Sequence, residues 1–328
     1  MNKFKILLFS VSAILLFNRC STDVDIYSDY KDITIVYGLV DRSDDTIWLK
    51  VTKAFLGSGN ALTFAQNPDS SNYPYKLDIE LTGIKNGSEI QKLIFDTITI
   101  KNKRPGDSIF YYPNQLMYYA VPSSGLNSQA VYHLSIQTNT NKITAATSVI
   151  PDFPINYPVS RINFKYDKEV EWKSAVNGKR YEVGFTFHYR ELWPNSTDTL
   201  DKTVSWSLGV KKSANTDGDE SMSVPYTGNQ FYSILDNTLE KDPYVKRWAG
   251  NLDVNIAVGS QDFDTYYEIN NASGGMLEEA PQFSNIVGDN ALGLFASRHF
   301  VTKPLKLSVN TERTLVNDYN LGFIMNRH

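Results

Sequence analysis

The sequence predicts a mainly β protein, an N-terminal immunoglobulin-like sandwich followed by a second antiparallel β domain with a few short helices. Three observations predict it. Apolar residues recur with a period of two along most of the chain, as in strands with one face on a core. Turn signals such as Lys85-Asn86-Gly87 and Arg104-Pro105-Gly106-Asp107 separate these runs. The regular strand–helix alternation of a parallel α/β sheet is missing, which argues against Rossmann-type and TIM-barrel enzymes.

Composition bounds the reading. A chain of 328 residues is long enough for about two domains. Hydrophobic residues at 41% and charged residues at 21% suit a packed protein and exclude a wholly disordered one. A net charge of -4 lacks the basic excess of a nucleic-acid binder, so no nucleic-acid partner is expected. The single cysteine excludes an internal disulfide framework and a Cys-based zinc site.

Residues 1–19 read as a signal peptide. Lys3 and Lys5 precede an apolar run from Ile6 to Phe17, too short for the ~20 residues of a membrane span. The run ends at Cys20, placed like the acylated cysteine of a bacterial lipobox, although Asn18 and Arg19 stand where small residues are usual. Acylation there would anchor the protein stably, since several acyl chains hold where one does not. The other reading is a secretory signal with an incidental cysteine. Residues 20–32, polar and acidic with Asp23 and Asp25, form the lipidated cysteine and its tether. The expected location is therefore the outer membrane or cell surface, with a membrane contact through the lipid.

Residues 33–150 form the expected sandwich. Ile47, Leu49 and Val51, then Tyr75, Leu77, Ile79 and Leu81, then Tyr132, Leu134 and Ile136 alternate with polar residues, and about seven strands fit. Pro151, Pro154 and Pro158 mark 151–158 as a linker, because proline gives no ladder donor and restricts its predecessor. Residues 159–328 form the second β domain. Inward rows are Tyr181 to Tyr189, Val204-Trp206-Leu208-Val210, and Leu252 to Val258, each at every second residue. Asn177-Gly178 predicts a hairpin between the run ending near Trp172 and that starting near Arg180. Phe231, Ile234, Leu235 and Leu239 predict a helix capped by Asn229. A second helix is expected over 261–270, with Phe263, Tyr266 and Tyr267 on one face. A third begins behind Thr311 and stops before Gly322.

Three stretches, IVYGLVDRSDDTIWLKVTKAFLGSGNA (35–61), KITAATSVIPDFPI (142–155) and PQFSNIVGDNALGLFASR (281–298), resemble a Bacteroidota cell-envelope lipoprotein family of unknown function. The resemblance covers about residues 33–325. Members are often encoded beside TonB-dependent receptors, so it implies an accessory role at such an outer-membrane transporter. Asp23 and Asp25 also resemble the acidic signals that send such lipoproteins to the cell surface. The resemblance assigns no catalytic or binding residue.

Catalytic motifs are not found. His133, His188, His299 and His328 have no metal-binding spacing, and neither HExxH nor GxSxG nor a phosphate loop occurs. No metal, cofactor or catalytic residue is expected. Glu169/Glu171 and Glu278-Glu279 leave a two-carboxylate carbohydrate hydrolase open as an alternative. The acidic loop Asn215 to Glu220 fits a hairpin tip as well as calcium. The pairs Tyr111-Tyr112, Tyr118-Tyr119 and Tyr266-Tyr267 offer rings to a glycan or peptide ligand, or to the core. Thr46, Thr97, Ser108 and Thr199 follow aspartate and precede an apolar residue, a pattern resembling the O-glycosylation sequon of exported Bacteroidota proteins. The expected function is non-enzymatic: an accessory or ligand-binding lipoprotein of an outer-membrane transporter. A structural or adhesive surface protein is a further alternative.

Overall fold

A computed structural model describes residues 33–54, 71–101, 114–271 and 282–326. The expected signal peptide, Cys20 and its expected tether, the expected turn at 104–107, Ser108, Tyr111-Tyr112, Glu278-Glu279 and His328 lie outside the described residues.

The chain is mainly β, as its periodicity predicts. Among the described residues, eight strands occupy the first half, where about seven are expected: β1 (Ile33–Val40), β2 (Ile47–Ala54), β3 (Asp78–Lys85), β4 (Ser88–Ile94), β5 (Asp96–Ile100), β6 (Gln115–Ala120), β7 (Val131–Gln137) and β8 (Lys142–Ser148). One sheet runs β1-β2-β6-β5 and the facing sheet β4-β3-β7-β8. This is the immunoglobulin strand order, with β4 added at the edge. The inward residues Val36, Leu49, Leu81, Tyr118, Leu134 and Ile136 make the core between them. Asn86 and Gly87 both take positive φ in the β3–β4 turn, the geometry a two-residue hairpin favours. At the start of β7 the buried Tyr132 hydroxyl accepts from Asn127 N at 2.8 Å and donates to Gln91 Oε1 at 2.6 Å. This is the tyrosine corner that pins the turn before a central strand of such sandwiches.

The second half contains β9 (Ile155–Tyr157), β10 (Arg161–Ile162), β11 (Lys168–Lys173), β12 (Arg180–Leu192), β13 (Leu200–Lys212), β14 (Ser221–Tyr226), β15 (Lys246–Gly259) and β16 (Ala291–Leu307). The three expected helices are α1 (Gly228–Thr238), α2 (Gln261–Asn271) and α3 (Val309–Asn317). The long antiparallel strands run β13-β12-β15-β16, and a small sheet runs β14-β11-β9. Trp172, Phe185, Phe187, Phe231, Leu252 and Leu315 are among the buried residues of this half's core. The proline-rich segment holds β9 and places Phe153 and Ile155 in that core.

The halves share β16. Its first part, Ala291 to Ser297, pairs in parallel with β1, and its second part, Arg298 to Lys306, pairs antiparallel with β15. One nine-stranded sheet therefore runs through the molecule. Phe295 belongs to the first core and Leu305 to the second. Gly293 sits at φ +131°, and a Cβ there would lie 1.9 Å from the Val36 carbonyl oxygen. A side chain at that position would separate β16 from β1.

Several local expectations change. Asn177-Gly178 does make a turn, with Asn177 at φ 65°, but β11 and β12 do not pair with each other and belong to different sheets. The cause is Tyr181, whose buried hydroxyl accepts from Ala175 N at 2.8 Å and folds the chain from one sheet to the other. Burial pushes that hydroxyl's pKa up to about 12. Val210 is exposed, not inward, because the ladder shifts register near Gly209 and reverses the alternation. Thr227, not Asn229, occupies the N-cap of α1. Ser308 caps α3 by accepting from Thr311 N at 3.2 Å, while Thr311 is buried and accepts from Phe164 N. The inward residue of α2 is Asp264, 2.9 Å from Lys212 Nζ and 3.5 Å from Arg180. Tyr267 lies under the Arg180 guanidinium, and Tyr266 meets Tyr37 of β1 edge-on.

Candidate functional site

The sheet β13-β12-β15-β16 has its aromatic core on one side only. Strand alternation sends Arg190, His188, Thr186, Gly184 and Glu182 of β12 to the other side, away from the inward row Tyr181 to Tyr189. Register places them beside Asp201, Thr203, Ser205 and Ser207 of β13 and beside Trp248, Asp253, Asn255 and Ala257 of β15. Beyond β15, β16 adds Phe300, Thr302 and Pro304.

A run of hydrogen bonds crosses this face. Thr302 donates to Asn255 Oδ1 at 2.8 Å, and Asn255 Nδ2 donates to Thr186 Oγ1 at 3.0 Å. The Thr186 and Ser205 hydroxyls are 2.9 Å apart. Four strands are thus linked through uncharged side chains. One step along β12, His188 Nε2 lies 2.8 Å from Asp253 Oδ2, which orients the ring. The ladder between β12 and β15 is irregular here, with Gly250 in the bulge opposite His188.

Two clefts flank the polar row. The larger, about 660 Å³, is lined by His188, Arg190, Asp201, Lys202, Thr203 and Trp248 among others. The second, about 370 Å³, opens over Gly184 and Ala257 and is bordered by Glu182, Asn255 and Phe300. Phe300 is 55% exposed, and the Arg298 guanidinium lies 5.3 Å from its ring centre.

A second cluster lies where the halves meet. His299 is only 2% exposed. Its Nδ1 is 2.9 Å from Asp41 Oδ1 and its Nε2 2.7 Å from Asp152 Oδ1. Burial alone would lower the His299 pKa, but the two carboxylate hydrogen bonds outweigh it and hold the ring above its ordinary value. Burial likewise opposes ionisation of Asp41, yet bonds from His299 and Ser43 keep its pKa below the usual one. Arg42 pairs with Asp152, and Arg298 stands 3.8 Å from Asp44. Asp41 and Asp44 of the stretch 35–61, Asp152 of 142–155 and Arg298 of 281–298 thus come together with His299.

The remaining sequence candidates are dispersed. Thr199 is exposed before β13, and Thr46 and Thr97 are half-buried, far apart in the chain. Glu169 and Glu171 share the exposed face of β11, as their spacing predicts. Asn215 to Glu220 is not the expected hairpin tip, because β13 and β14 belong to different sheets; it is the connection between them, where the Glu220 carboxylate accepts from Ala214 N. Tyr118 points inward and accepts from Leu77 N, while Tyr119 points outward beside Trp48. Among the described residues, no group of three or more His, Cys, Asp or Glu is arranged to hold a metal ion. Also among them, no helix is long and apolar enough to cross a membrane. Sequence reasoning named His188 and His299 without a role, and it missed Trp248, Asp253, Asn255 and Thr302 on the face and Asp41 and Asp152 at the junction.

No protein-family model matches the chain. No curated protein matches it either. Among solved structures, the C-terminal globular domain of an oligosaccharyltransferase from Pyrococcus abyssi aligns with 84% of this chain at 9% identity and a TM-score of 0.22. The alignment spans about half the length of that structure. At that TM-score the likeness carries no argument about this chain.

Proposed function

We propose that this chain is a lipid-anchored, non-enzymatic protein of the outer membrane or cell surface that binds a ligand beside an outer-membrane transporter of the TonB-dependent type. The observation that carries the binding half of this reading is the outer face of β13-β12-β15-β16. Two clefts lie on one rigid sheet, joined by oriented hydrogen-bonding side chains, and rigid sheets position binding groups well. Acyl-transfer catalysis would need a nucleophile beside a base. Among the described residues neither His188 nor His299 hydrogen-bonds a serine, threonine or cysteine side chain.

The anchoring half rests on the signal-like residues 1–19 and Cys20, and the transporter on the family resemblance. Residues 21–32 reach at most ~40 Å when extended, which sets the distance of the N-terminal sandwich from the membrane. The sandwich then acts as a spacer that carries the binding face further out.

Native co-purification tests the reading. The protein is tagged at its C-terminus in its host, extracted in mild detergent and analysed for stoichiometric partners. One outer-membrane transporter is expected. A membrane-bound protein with no such partner would remove the transporter from the account. A Cys20→Ser variant that still sediments with membranes would remove the lipid anchor.

A further inference from the structure

We propose that the outer face of β13-β12-β15-β16 binds a linear, uncharged oligosaccharide. This rests on the reading above that the face is the ligand site, and it names the ligand class. Three observations carry it.

The first is the inventory of groups. The centre of the face is a row of hydroxyls and one amide, from Thr302 through Asn255 and Thr186 to Ser205. These side chains already orient one another, so each retains unused donor or acceptor capacity in a fixed direction. That capacity matches ligand hydroxyls, which both donate and accept.

The second is charge balance. Arg190 and Lys202 in the larger cleft are accompanied by Asp201 in the same cleft and by Asp253, which bonds His188. Glu182 is the one acid lining the smaller cleft. A highly charged polymer of either sign would meet like charge on part of its length, whereas a neutral chain meets none.

The third is the placement of rings. Trp248 registers with Arg190, and Phe300 registers with Ala257, which faces Glu182. Arg190 and Glu182 are eight residues apart on β12, so the two rings stand about 25 Å apart along the strands. Flat apolar rings on either side of the polar row along the strands offer stacking surfaces for the C–H faces of sugars, with hydrogen bonds between them. An extended peptide is the weaker fit. It would pair through its main chain at a strand edge, but β12 and β15 are interior strands with neighbours on both sides.

Isothermal titration calorimetry on the intact mature chain tests the proposal. The probes are linear six-residue glucan, mannan and xylan oligosaccharides and an uncharged peptide of equal extended length. At least one oligosaccharide should bind, and Trp248→Ala and Phe300→Ala should each weaken it at least ~10-fold. Trp48→Ala, on the outer side of the N-terminal sandwich, should leave it unchanged. Trp48 and Phe300 are exposed and Trp248 is half-buried, and circular dichroism checks that each variant folds. Peptide binding that Trp248→Ala abolishes, without oligosaccharide binding, overturns the ligand class and spares the face as the site. Oligosaccharide binding that neither face variant weakens overturns the face itself. Binding of neither probe class overturns the proposal as stated.

Discussion

His299 Nδ1 lies 2.9 Å from Asp41 Oδ1, although 258 positions separate the two residues. The contact joins the end of β1 to β16, and Asp152 on the other ring nitrogen adds the proline-rich segment. One imidazole thus ties three distant parts of the chain at the junction of the two cores.

The pH dependence of stability follows from this. The folded His299 pKa is raised, so its contribution is complete below the ordinary histidine pKa and fades as pH rises through the folded value. The folded Asp41 pKa is lowered, so its contribution is complete above the ordinary carboxylate pKa and fades as pH falls through the folded value. The bridge should contribute most between about pH 4 and 6.5. Asp44, pushed up by burial and the Asp41 charge, and Arg42 and Arg298 surround it. His299→Gln should cost about 3 kcal/mol at pH 6. Urea titrations at pH 6 and pH 9 should show that cost shrinking at the higher pH.

The Tyr132 and Tyr181 hydroxyls make separable contributions. Tyr132→Phe removes the acceptor of Asn127 N and the donor to Gln91 Oε1, and Tyr181→Phe removes the acceptor of Ala175 N. Each should lower unfolding free energy by about 1–2 kcal/mol, read from urea midpoints. The Asn127 and Ala175 amides should gain hydrogen exchange in their own variants only.

Gly293→Ala should open the parallel pairing between β16 and β1. The strained φ and the Val36 carbonyl both oppose a Cβ. A loss of at least ~2 kcal/mol is expected. Hydrogen exchange should rise in β1 and in Ala291 to Ser297, with β12 and β15 little changed.

Thr199 is the most accessible of the described Asp-Ser/Thr sites. Protein purified from its native host should therefore weigh more than the lipidated chain, and Thr199→Ala should remove one glycan mass. Thr46 and Thr97 are tested by the same substitution. A native intact mass equal to that of the bare lipoprotein would contradict glycosylation at all of them.

The strands were legible because alternation is a local signal. Tyr132, Leu134 and Ile136 are buried as their spacing requires, and so are the rows from Tyr181 to Tyr189 and Leu252 to Val258. The signal failed where geometry depends on distant residues. Val210 lies past a register shift, and the Asn177-Gly178 turn obeys Tyr181 rather than a hairpin. Nothing local says that β16 pairs with β1 far away in sequence. The candidate face was illegible for the same reason. Thr186, Ser205, Asn255 and Thr302 each read as an ordinary solvated strand position, and only the register of four strands brings them into one row.

Native mass spectrometry of the mature protein with the neutral oligosaccharide panel tests most directly whether the protein binds its ligand without chemistry. The account predicts a complex whose mass is that of the protein plus one intact oligosaccharide, with the free sugar unchanged after prolonged incubation. Shortened products carrying added water would make the protein a hydrolase, and the absence of any complex would remove the neutral-oligosaccharide site.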